Sequence, residues 1–258
     1  MISPAVLLNV KEASRQFGGI RALTDVSIQL RTGELIGLIG PNGAGKTTLF
    51  NLLTGVYEPS RGEITLNGQS IGGKKPYQIC HKGAARTFQN IRLFGEMTVA
   101  ENIKIAYTQH AKYSIWSSFF RLPGYLRGEK EIEEKTDELL AIFRLSEHKD
   151  EKAKNLSYGA QRRLEIARAL AARPKLLLLD EPAAGMNPNE TRELMNLIRW
   201  IREEFDLTIL LIEHDMSLVM GVCDRIYVLD QGKLIAEGTP DRIRNNRAVI
   251  EAYLGQEA

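Results

Sequence analysis

The most informative stretch of the chain is Gly40-Pro41-Asn42-Gly43-Ala44-Gly45-Lys46-Thr47. It follows the apolar run Leu35-Ile36-Gly37-Leu38-Ile39, and the residues after it, Thr48-Leu49-Phe50-Asn51-Leu52-Leu53, have the pattern of a helix. Glycines at such a position let successive backbone N–H groups surround phosphate oxygens, which the positive end of the helix also attracts. A complete motif between a strand and a helix predicts a phosphate-binding loop.

The two residues that close this loop supply side-chain chemistry. Lys46 can reach the β- and γ-phosphate oxygens of a nucleotide, and the Thr47 hydroxyl can ligate Mg²⁺. A glycine-rich turn without a ligand is the alternative, but a turn alone does not require Gly, Lys and Thr in succession. We therefore predict chemistry on ATP or GTP, with the nucleotide bound by Gly40, Pro41, Asn42, Gly43, Ala44, Gly45, Lys46, Thr47 and Thr48.

Length, charge and cysteine usage limit the classes of protein to which the chain can belong. A chain of 258 residues has room for one nucleotide-binding domain, since doubly wound α/β domains reach about 250 residues. The 34 basic and 32 acidic residues nearly cancel, so we expect no nucleic-acid partner. No apolar run approaches the about 18 residues of a membrane span, and Met1-Ile2-Ser3-Pro4 begins no signal peptide. Cys80 and Cys223 have neither disulfide-framework nor metal-ligand spacing.

Hydrophobic patterning indicates an α/β fold. Residues 6–10 and 26–30 alternate apolar and polar side chains, as antiparallel strands do, and residues 62–68 read as a short hairpin strand. Short apolar runs typical of buried parallel strands occur at residues 176–179, 208–212 and 225–229. An amphipathic helix is predicted over residues 129–147, within a mostly helical insertion. Residues 107–127, with Trp116, Phe119 and Phe120, show no readable pattern.

Two acidic residues end the apolar run Leu176-Leu177-Leu178-Leu179-Asp180-Glu181. A buried parallel strand delivers such residues to the carboxyl edge of the sheet, where α/β proteins bind ligands. Asp180 can hold Mg²⁺ through its water shell, and Glu181 can accept a proton from an attacking water. A strand that merely enters a solvated loop is the alternative. The phosphate-binding loop favours the functional interpretation, because a magnesium nucleotide needs both halves of its cradle.

A third motif is Leu156-Ser157-Tyr158-Gly159-Ala160-Gln161-Arg162-Arg163-Leu164-Glu165-Ile166-Ala167-Arg168-Ala169-Leu170. It resembles the signature sequence of ABC-type ATPases, and it stands a short helix upstream of Asp180, as in that family. The resemblance implies that the Ser157 hydroxyl and the Gly159 backbone contact the nucleotide held by the loop of an opposing subunit. The start of the following helix is suited to an anion. Ser157 is equally suited to be an N-cap, and both roles can hold at once.

The family resemblance implies roles for three further residues. Phe17 resembles the aromatic residue that stacks on adenine, Gln89 the glutamine that senses Mg²⁺ and the γ-phosphate, and His214 the switch histidine that orients the water. Taken singly, they would be a packing residue, a surface residue and a core histidine. Their order relative to the phosphate motifs favours the family roles. The implied catalytic set is Lys46, Gln89, Glu181 and His214, and the implied Mg²⁺ ligands are Thr47, Gln89 and Asp180.

Three positions depart from the common family pattern. Tyr158 replaces the first glycine of the usual Leu-Ser-Gly-Gly-Gln, Ala160 replaces its glutamine, and Asn187 stands where an aspartate is usual. The Tyr158 ring must point away from the nucleotide, and Ala160 removes a polar contact that would otherwise reach across the dimer interface. Ser157 and Gly159 remain, so we expect a working composite site.

The resemblance extends along nearly the whole chain and points to a more specific family. It is carried by Ala85-Arg86-Thr87-Phe88-Gln89-Asn90-Ile91-Arg92-Leu93-Phe94, by Met97-Thr98-Val99-Ala100-Glu101-Asn102 and the long segment after it, by Glu213-His214-Asp215-Met216-Ser217-Leu218-Val219-Met220, and by Ala252-Tyr253-Leu254-Gly255. These segments are similar to the ATP-binding subunits of bacterial branched-chain amino acid importers, specifically the longer of the two ATPase types. The implied fold is the α/β P-loop NTPase (RecA-like) core of an ABC ATPase, with an antiparallel β-subdomain and a helical signature subdomain. We expect one nucleotide-binding domain over residues 1–258, with the helical subdomain inserted at about residues 90–160.

Importers of this class imply a set of partners. A periplasmic or extracellular binding protein delivers leucine, isoleucine or valine to two transmembrane permease subunits. Two ATPase subunits, identical or paralogous, hydrolyse ATP between them at the cytoplasmic face of the cell membrane, which requires approximate two-fold symmetry. Phe94 and Met97, beside Arg86 and Arg92, are predicted anchors for a permease helix, with burial in the core as the alternative.

Other functions fit the sequence less well. A soluble ABC protein of DNA repair or translation should carry a coiled-coil insertion or a second copy of the motifs. A regulatory nucleotide binder should lack Glu181 or His214, and both are present. The ATPase subunit of another ABC transporter stays open as the alternative, such as a lipopolysaccharide exporter or another amino acid or amide importer. The long segment at residues 107–127 favours the branched-chain importer over the exporter.

Overall fold

The computed structural model describes residues 5–110 and 123–254. The chain divides into two compact units. The core unit comprises Met1–Arg86 and Pro174–Ala258, and the helical unit comprises Thr87–Arg173. Residues 111–122, with Trp116, Phe119 and Phe120, lie outside the described residues, so most of the unreadable segment at residues 107–127 has no structural account.

The elements are numbered in chain order. The strands are β1 (Val6–Phe17), β2 (Ile20–Arg31), β3 (Leu35–Ile39), β4 (Arg61–Leu66), β5 (Gln69–Ser70), β6 (Ala84–Arg86), β7 (Leu176–Asp180), β8 (Thr208–Ile212), β9 (Arg225–Asp230) and β10 (Lys233–Gly238). The helices of the described residues are α1 (Lys46–Leu53), α2 (Pro76–His81), α3 (Val99–Tyr107), α4 (Pro123–Ile142), α5 (Tyr158–Ala171), α6 (Pro188–Glu204), α7 (Met216–Val222), α8 (Pro240–Arg244) and α9 (Arg247–Leu254).

The larger sheet of the core unit has the strand order β10-β9-β3-β8-β7-β6. Its strands pair in parallel except for β10, which is antiparallel to β9. Every residue of β3, β7 and β8 is buried, which explains why these strands are continuous apolar runs. Because parallel strands end at the same edge, the loops that follow β3, β7 and β8 are brought together there.

The smaller sheet of the core unit is antiparallel, with the order β2-β1-β4-β5. Leu8 pairs with Leu30 and Val10 with Ile28, and all four side chains are at most 1% exposed. They pack in one hydrophobic cluster with the apolar side chains of α1, including Phe50. The apolar positions of the predicted alternation are therefore the side chains on the core-facing side of this sheet.

The connection from β3 to α1 depends on glycine. At Gly40, a Cβ would lie 2.0 Å from the carbonyl oxygen of Leu229, and at Gly45, which has a φ of 101°, it would lie 2.8 Å from the carbonyl oxygen of Ala22. No side chain fits either position without moving backbone. The close approach of neighbouring chain thus requires these two glycines, independently of any ligand.

The helical unit is built from α3, α4 and α5, which pack on one another. Its buried apolar side chains include Ile103, Leu139, Phe143 and Leu164, each at most 3% exposed. The helix predicted over residues 129–147 is wrong at both ends, since α4 already includes residues 123–128 and ends at Ile142. Arg144 has a φ of 54°, a left-handed conformation that stops the helix and turns Leu145 into the core. Among the helices described in both units, none is long and apolar enough to cross a membrane.

Candidate active site

Lys46 begins α1 with its side chain folded back into the preceding loop. The Nζ group donates to the carbonyl oxygens of Gly40 at 2.6 Å and Pro41 at 2.9 Å, and the residue is 6% exposed. Burial lowers the pKa of Lys46, while the nearby charges of Glu181 and Asp180 raise it. The ammonium group therefore lies in a desolvated loop close to two carboxylates, where a phosphate group would be a strong competing partner.

Asp180 ends β7 and forms a buried ion pair. Its Oδ2 atom lies 2.6 Å from Nη2 of Arg86, and each side chain is 6% exposed. Arg86 also donates to Oδ1 of Asn51 at 2.7 Å, and its guanidinium lies 5.4 Å from the centroid of the Phe50 ring. The expectation that Arg86 supports a partner surface is therefore wrong, because its charge is buried in the core unit.

Glu181 and His214 face each other at the carboxyl edge of the sheet. Nε2 of His214 lies 2.6 Å from Oε1 of Glu181, whose side chain is 14% exposed. Glu181 has a φ of 47°, and its backbone N–H donates to the carbonyl oxygen of Ile212 at 2.9 Å. A carboxylate and an imidazole in direct contact, at a site that remains partly open, can hold and deprotonate a water molecule.

Phe17 lies at the end of β1 and is 37% exposed. Its ring makes an edge contact with Tyr57 at a centroid distance of 5.0 Å, and the guanidinium of Arg15 lies 4.6 Å from the Phe17 ring centroid. Nη1 of Arg15 also donates to the carbonyl oxygen of Glu58 at 2.8 Å. The aromatic ring is therefore braced by neighbours, and it keeps enough exposed area to stack on a flat ligand.

Two of the predicted metal ligands, Thr47 and Asp180, lie in the core unit. The Thr47 residue is exposed at the start of α1, whereas Asp180 is 4% exposed. Among the described residues, no group of three or more His, Cys, Asp or Glu could hold a metal ion. Hydroxyl and carboxylate oxygens are suited to Mg²⁺, which protein sites of this kind bind together with substrate phosphates. The donor set therefore fits a magnesium ion carried by a nucleotide.

The signature residues lie in the helical unit. The Ser157 hydroxyl caps α5, accepting from the Ala160 N–H at 3.4 Å, and Gly159 is buried in the first turn. Tyr158 is 44% exposed, while Ala160 is 4% exposed. Ser157 is itself exposed, so the cap leaves its position accessible from solvent. The structure shows the N-cap role; the nucleotide role stays a prediction.

Gln89 is exposed, and the backbone around it is held by a buried ion pair of the helical unit. Arg162 donates to the carbonyl oxygens of Phe88 at 2.6 Å and Gln89 at 2.8 Å. Its Nη1 also lies 2.9 Å from Oε2 of Glu165, and the two side chains are 0% and 1% exposed. This pair joins α5 to the segment that carries Gln89 and fixes that backbone.

Sequence reasoning missed Arg86 and Glu213 as parts of the site. Glu213 directly precedes His214, is 5% exposed and accepts the Ala183 N–H at 2.9 Å. Arg86 is the last residue of β6, and Glu213 follows the last residue of β8. Each is thus a charged residue at the end of a strand and close in sequence to a motif residue. That placement is the only sequence signal for a buried charge, and it does not identify the partner.

The family model described as "ABC transporter" matches residues 23–184. The model described as "Branched-chain amino acid ATP-binding cassette transporter" matches residues 233–258. Together these matches span the phosphate-binding loop, the Asp180-Glu181 strand end and the carboxyl-terminal residues.

Similar proteins of known name include two bacterial relatives. The chain is 51% identical to "High-affinity branched-chain amino acid transport ATP-binding protein LivG" of Salmonella typhimurium, over 97% of this chain and 98% of that protein. It is 47% identical, with the same coverage, to the BraF protein of Pseudomonas aeruginosa, which has the same descriptive name. A solved structure of MJ1267 in its ADP conformation, an ATP-binding cassette of an ABC transporter, is 32% identical, with a TM-score of 0.83. That alignment covers 97% of this chain and 99% of the solved one.

Proposed function

Since the chain belongs to the ABC transporter family as an ATP-binding protein, we propose that it hydrolyses ATP to power the import of branched-chain amino acids. Family membership confirms the predicted resemblance, the α/β P-loop fold of an ABC ATPase and the assignment as an ATP hydrolase. The contact between Glu181 and His214 at 2.6 Å carries the hydrolytic part of the proposal. The identity to LivG and BraF supports the transported substrate.

The proposed mechanism assigns one task to each side chain of the core unit. Glu181 deprotonates the attacking water, and His214, bonded to Glu181, orients it. Lys46 turns from the carbonyl oxygens of its own loop to the phosphate oxygens and stabilises their charge. Thr47 and Asp180 would hold Mg²⁺, which compensates phosphate charge when bound.

The residues of the helical unit receive the roles that the resemblance implies. We propose that Gln89 contributes to the magnesium and water positions, and that Ser157 and Gly159 contact the nucleotide of a second ATPase subunit. The buried Arg162–Glu165 pair supports the Gln89 part of this proposal, because Arg162 donates to the Gln89 carbonyl oxygen and restrains that backbone. The two units would then act as one nucleotide-binding domain.

The transporter context is proposed from the same relatives. Transmembrane permease subunits are the partners of a family ATPase, and the importer would also include a second ATPase subunit and, indirectly, a periplasmic or extracellular binding protein. The chain would lie at the cytoplasmic face of the cell membrane. The names of the relatives, ATP-binding proteins of transport systems, support this position.

Two measurements test the proposal. Glu181→Gln keeps the shape of the side chain and removes the base, so ATP turnover by the purified protein should fall about 10²–10⁴-fold while MgATP binding persists. In cells, deletion of the gene should abolish high-affinity leucine uptake, and the wild-type gene should restore it, whereas the Glu181→Gln gene should not. Turnover retained in Glu181→Gln would remove Glu181 from its role. Normal uptake of leucine, isoleucine and valine in a deletion strain without a compensating system would refute the substrate.

A further inference from the structure

Glu213 is a buried carboxylate that touches both segments of the catalytic pair. It follows the last residue of β8, directly precedes His214 and is 5% exposed. Its Oε1 atom accepts the Ala183 N–H at 2.9 Å, and its Oε2 atom accepts the His214 N–H at 3.3 Å. One side chain thus joins the backbone two residues after Glu181 to the backbone of His214.

We propose that Glu213 is a positioning residue that holds Glu181 and His214 in their reactive geometry. Glu213 would make no contact with the nucleotide and would act only through these two side chains. The inference rests on the proposed roles of Glu181 and His214 in hydrolysis, and it adds a residue to which no role has been assigned.

The bonds around Glu213 close a ring. The Glu181 N–H donates to the carbonyl oxygen of Ile212, the Ala183 N–H donates to Glu213, and the Glu181 side chain contacts His214. Glu181 has a φ of 47°, a conformation that a residue other than glycine keeps only when its surroundings impose it. The Glu213 link restrains the turn that imposes this conformation.

The chemistry of the side chain explains why a carboxylate stands here. Two backbone N–H groups converge on it, and a carboxylate offers an acceptor oxygen to each. A glutamine has one acceptor oxygen and an NH₂ group, which would face one of the two N–H donors. Burial raises the pKa of Glu213, whereas the bonds from Ala183 and His214 lower it, and the nearby Glu181 charge raises it further.

That environment argues against a purely structural role. A buried carboxylate close to a second carboxylate is costly for folding. A fixed position of Glu181 relative to His214 would explain this arrangement. It accounts for the buried charge, for the two backbone donors and for the location beside both catalytic side chains.

The test compares Glu213→Gln with a matched control, Glu34→Gln, in the full-length protein. Glu34 is a partly buried glutamate, with a side chain 18% exposed, that likewise accepts a backbone N–H, from Arg31 at 2.7 Å, and it also pairs with Arg225 at 2.8 Å. It precedes β3, at the opposite edge of the sheet from Glu181. We expect Glu213→Gln to lower kcat at least about tenfold with the KM for ATP within about twofold, because small displacements of reacting groups have large rate effects. Glu34→Gln should leave both parameters within about twofold of wild type.

A double mutant separates positioning from an independent role. Adding Glu213→Gln to His214→Ala should cost no more than about twofold in kcat, because the residue acts through a pair that is already broken. Glu213→Asp keeps the charge but shortens the side chain, and it should also lower kcat; it carries the test if Glu213→Gln does not fold. The inference would be overturned if the kcat losses of the two single mutants multiplied in the double mutant. A raised KM with normal kcat, or a wild-type kcat, in Glu213→Gln would also overturn it. Glu181→Gln in the same assay separates the two failures: if it keeps turnover, the proposed catalytic role of Glu181 fails and the inference fails with it, and if only Glu213→Gln keeps turnover, the inference alone fails.

Discussion

The guanidinium of Arg86 lies 2.6 Å from the carboxylate of Asp180, and each side chain is 6% exposed. The pair links the last residue of β6 to the last residue of β7, two parallel neighbours in the sheet. Arg86 is held in turn by Asn51 of α1. The carboxylate assigned to magnesium is therefore oriented by a protein cation that bridges the strand to the helix of the phosphate-binding loop.

Breaking this pair should destabilise the protein strongly. Arg86→Met leaves the Asp180 carboxylate buried without its cation, a change that costs about 3–5 kcal/mol. Asp180→Asn removes the second charge, so the double mutant should lose much less stability than the sum of the single mutants. Urea unfolding of the four nucleotide-free proteins measures this coupling. Additive losses would show that the two charges do not interact.

Lys46→Ala should weaken nucleotide binding itself, in contrast to Glu181→Gln. The ammonium interacts with phosphate in both the ground state and the transition state, so its loss lowers affinity as well as rate. A hydrogen bond to a charged group contributes about 1.5–3 kcal/mol, which predicts a loss of at least about tenfold in ATP affinity. Calorimetric titration measures the affinity, with exposed Lys233→Ala as the control. Equal affinity for Lys46→Ala and wild type would contradict the assignment.

Phe17→Ala should weaken ATP binding by about 1–3 kcal/mol, the range found for stacking of a base on an aromatic ring. Phe17→Tyr and Phe17→Trp should have mild effects, because they keep the ring. Phe205→Ala is a matched control, since Phe205 is 38% exposed and also makes an edge contact, with Trp200 at 6.3 Å. A ring reads no hydrogen-bond pattern, so GTP should also be hydrolysed, if more slowly. Strict rejection of GTP would show that a polar group reads the base.

The parts of the site that the sequence predicts are those encoded locally. The apolar runs of β3, β7 and β8 identify buried parallel strands, and their common carboxyl edge then places Lys46, Asp180 and Glu181 near one another. The direct contact of Glu181 with His214 is added by the structure, in which β7 and β8 are neighbours.

The remaining features depend on contacts between distant positions. Arg86 and Asp180 are 94 residues apart in the chain, and Glu213 and Ala183 are 30 apart. No periodicity indicates which buried charge meets which partner. Strand β6 is only Ala84–Arg86, and its pairing with β7 defines it rather than its own composition. The end of α4 likewise depends on the left-handed Arg144, a residue without the usual signal of a helix stop.

Phe94 is placed as a partner anchor would be. The residue is 49% exposed, while its backbone is fixed by Asn102, which accepts the Phe94 N–H at 2.9 Å and donates to the Phe94 carbonyl at 3.0 Å. Asn102 is fully buried. The Arg168 guanidinium lies 5.5 Å from the ring centroid, and burial lowers the pKa of Arg168. Met97 is half-buried, so neither predicted anchor lies in the core.

Phe94→Gln should therefore uncouple transport from hydrolysis. A rigidly held, exposed aromatic side chain at an interface typically contributes about 2 kcal/mol or more to binding, and its loss should weaken docking to the permease. We expect leucine uptake in cells to fall at least about tenfold, while the purified subunit hydrolyses ATP at the wild-type rate. Ile105→Gln, at a similarly exposed apolar position of the helical unit, is the control and should preserve uptake. Wild-type uptake by the Phe94→Gln strain would show that Phe94 is not the anchor, and loss of ATP hydrolysis by the purified variant would show that the ring serves the site itself.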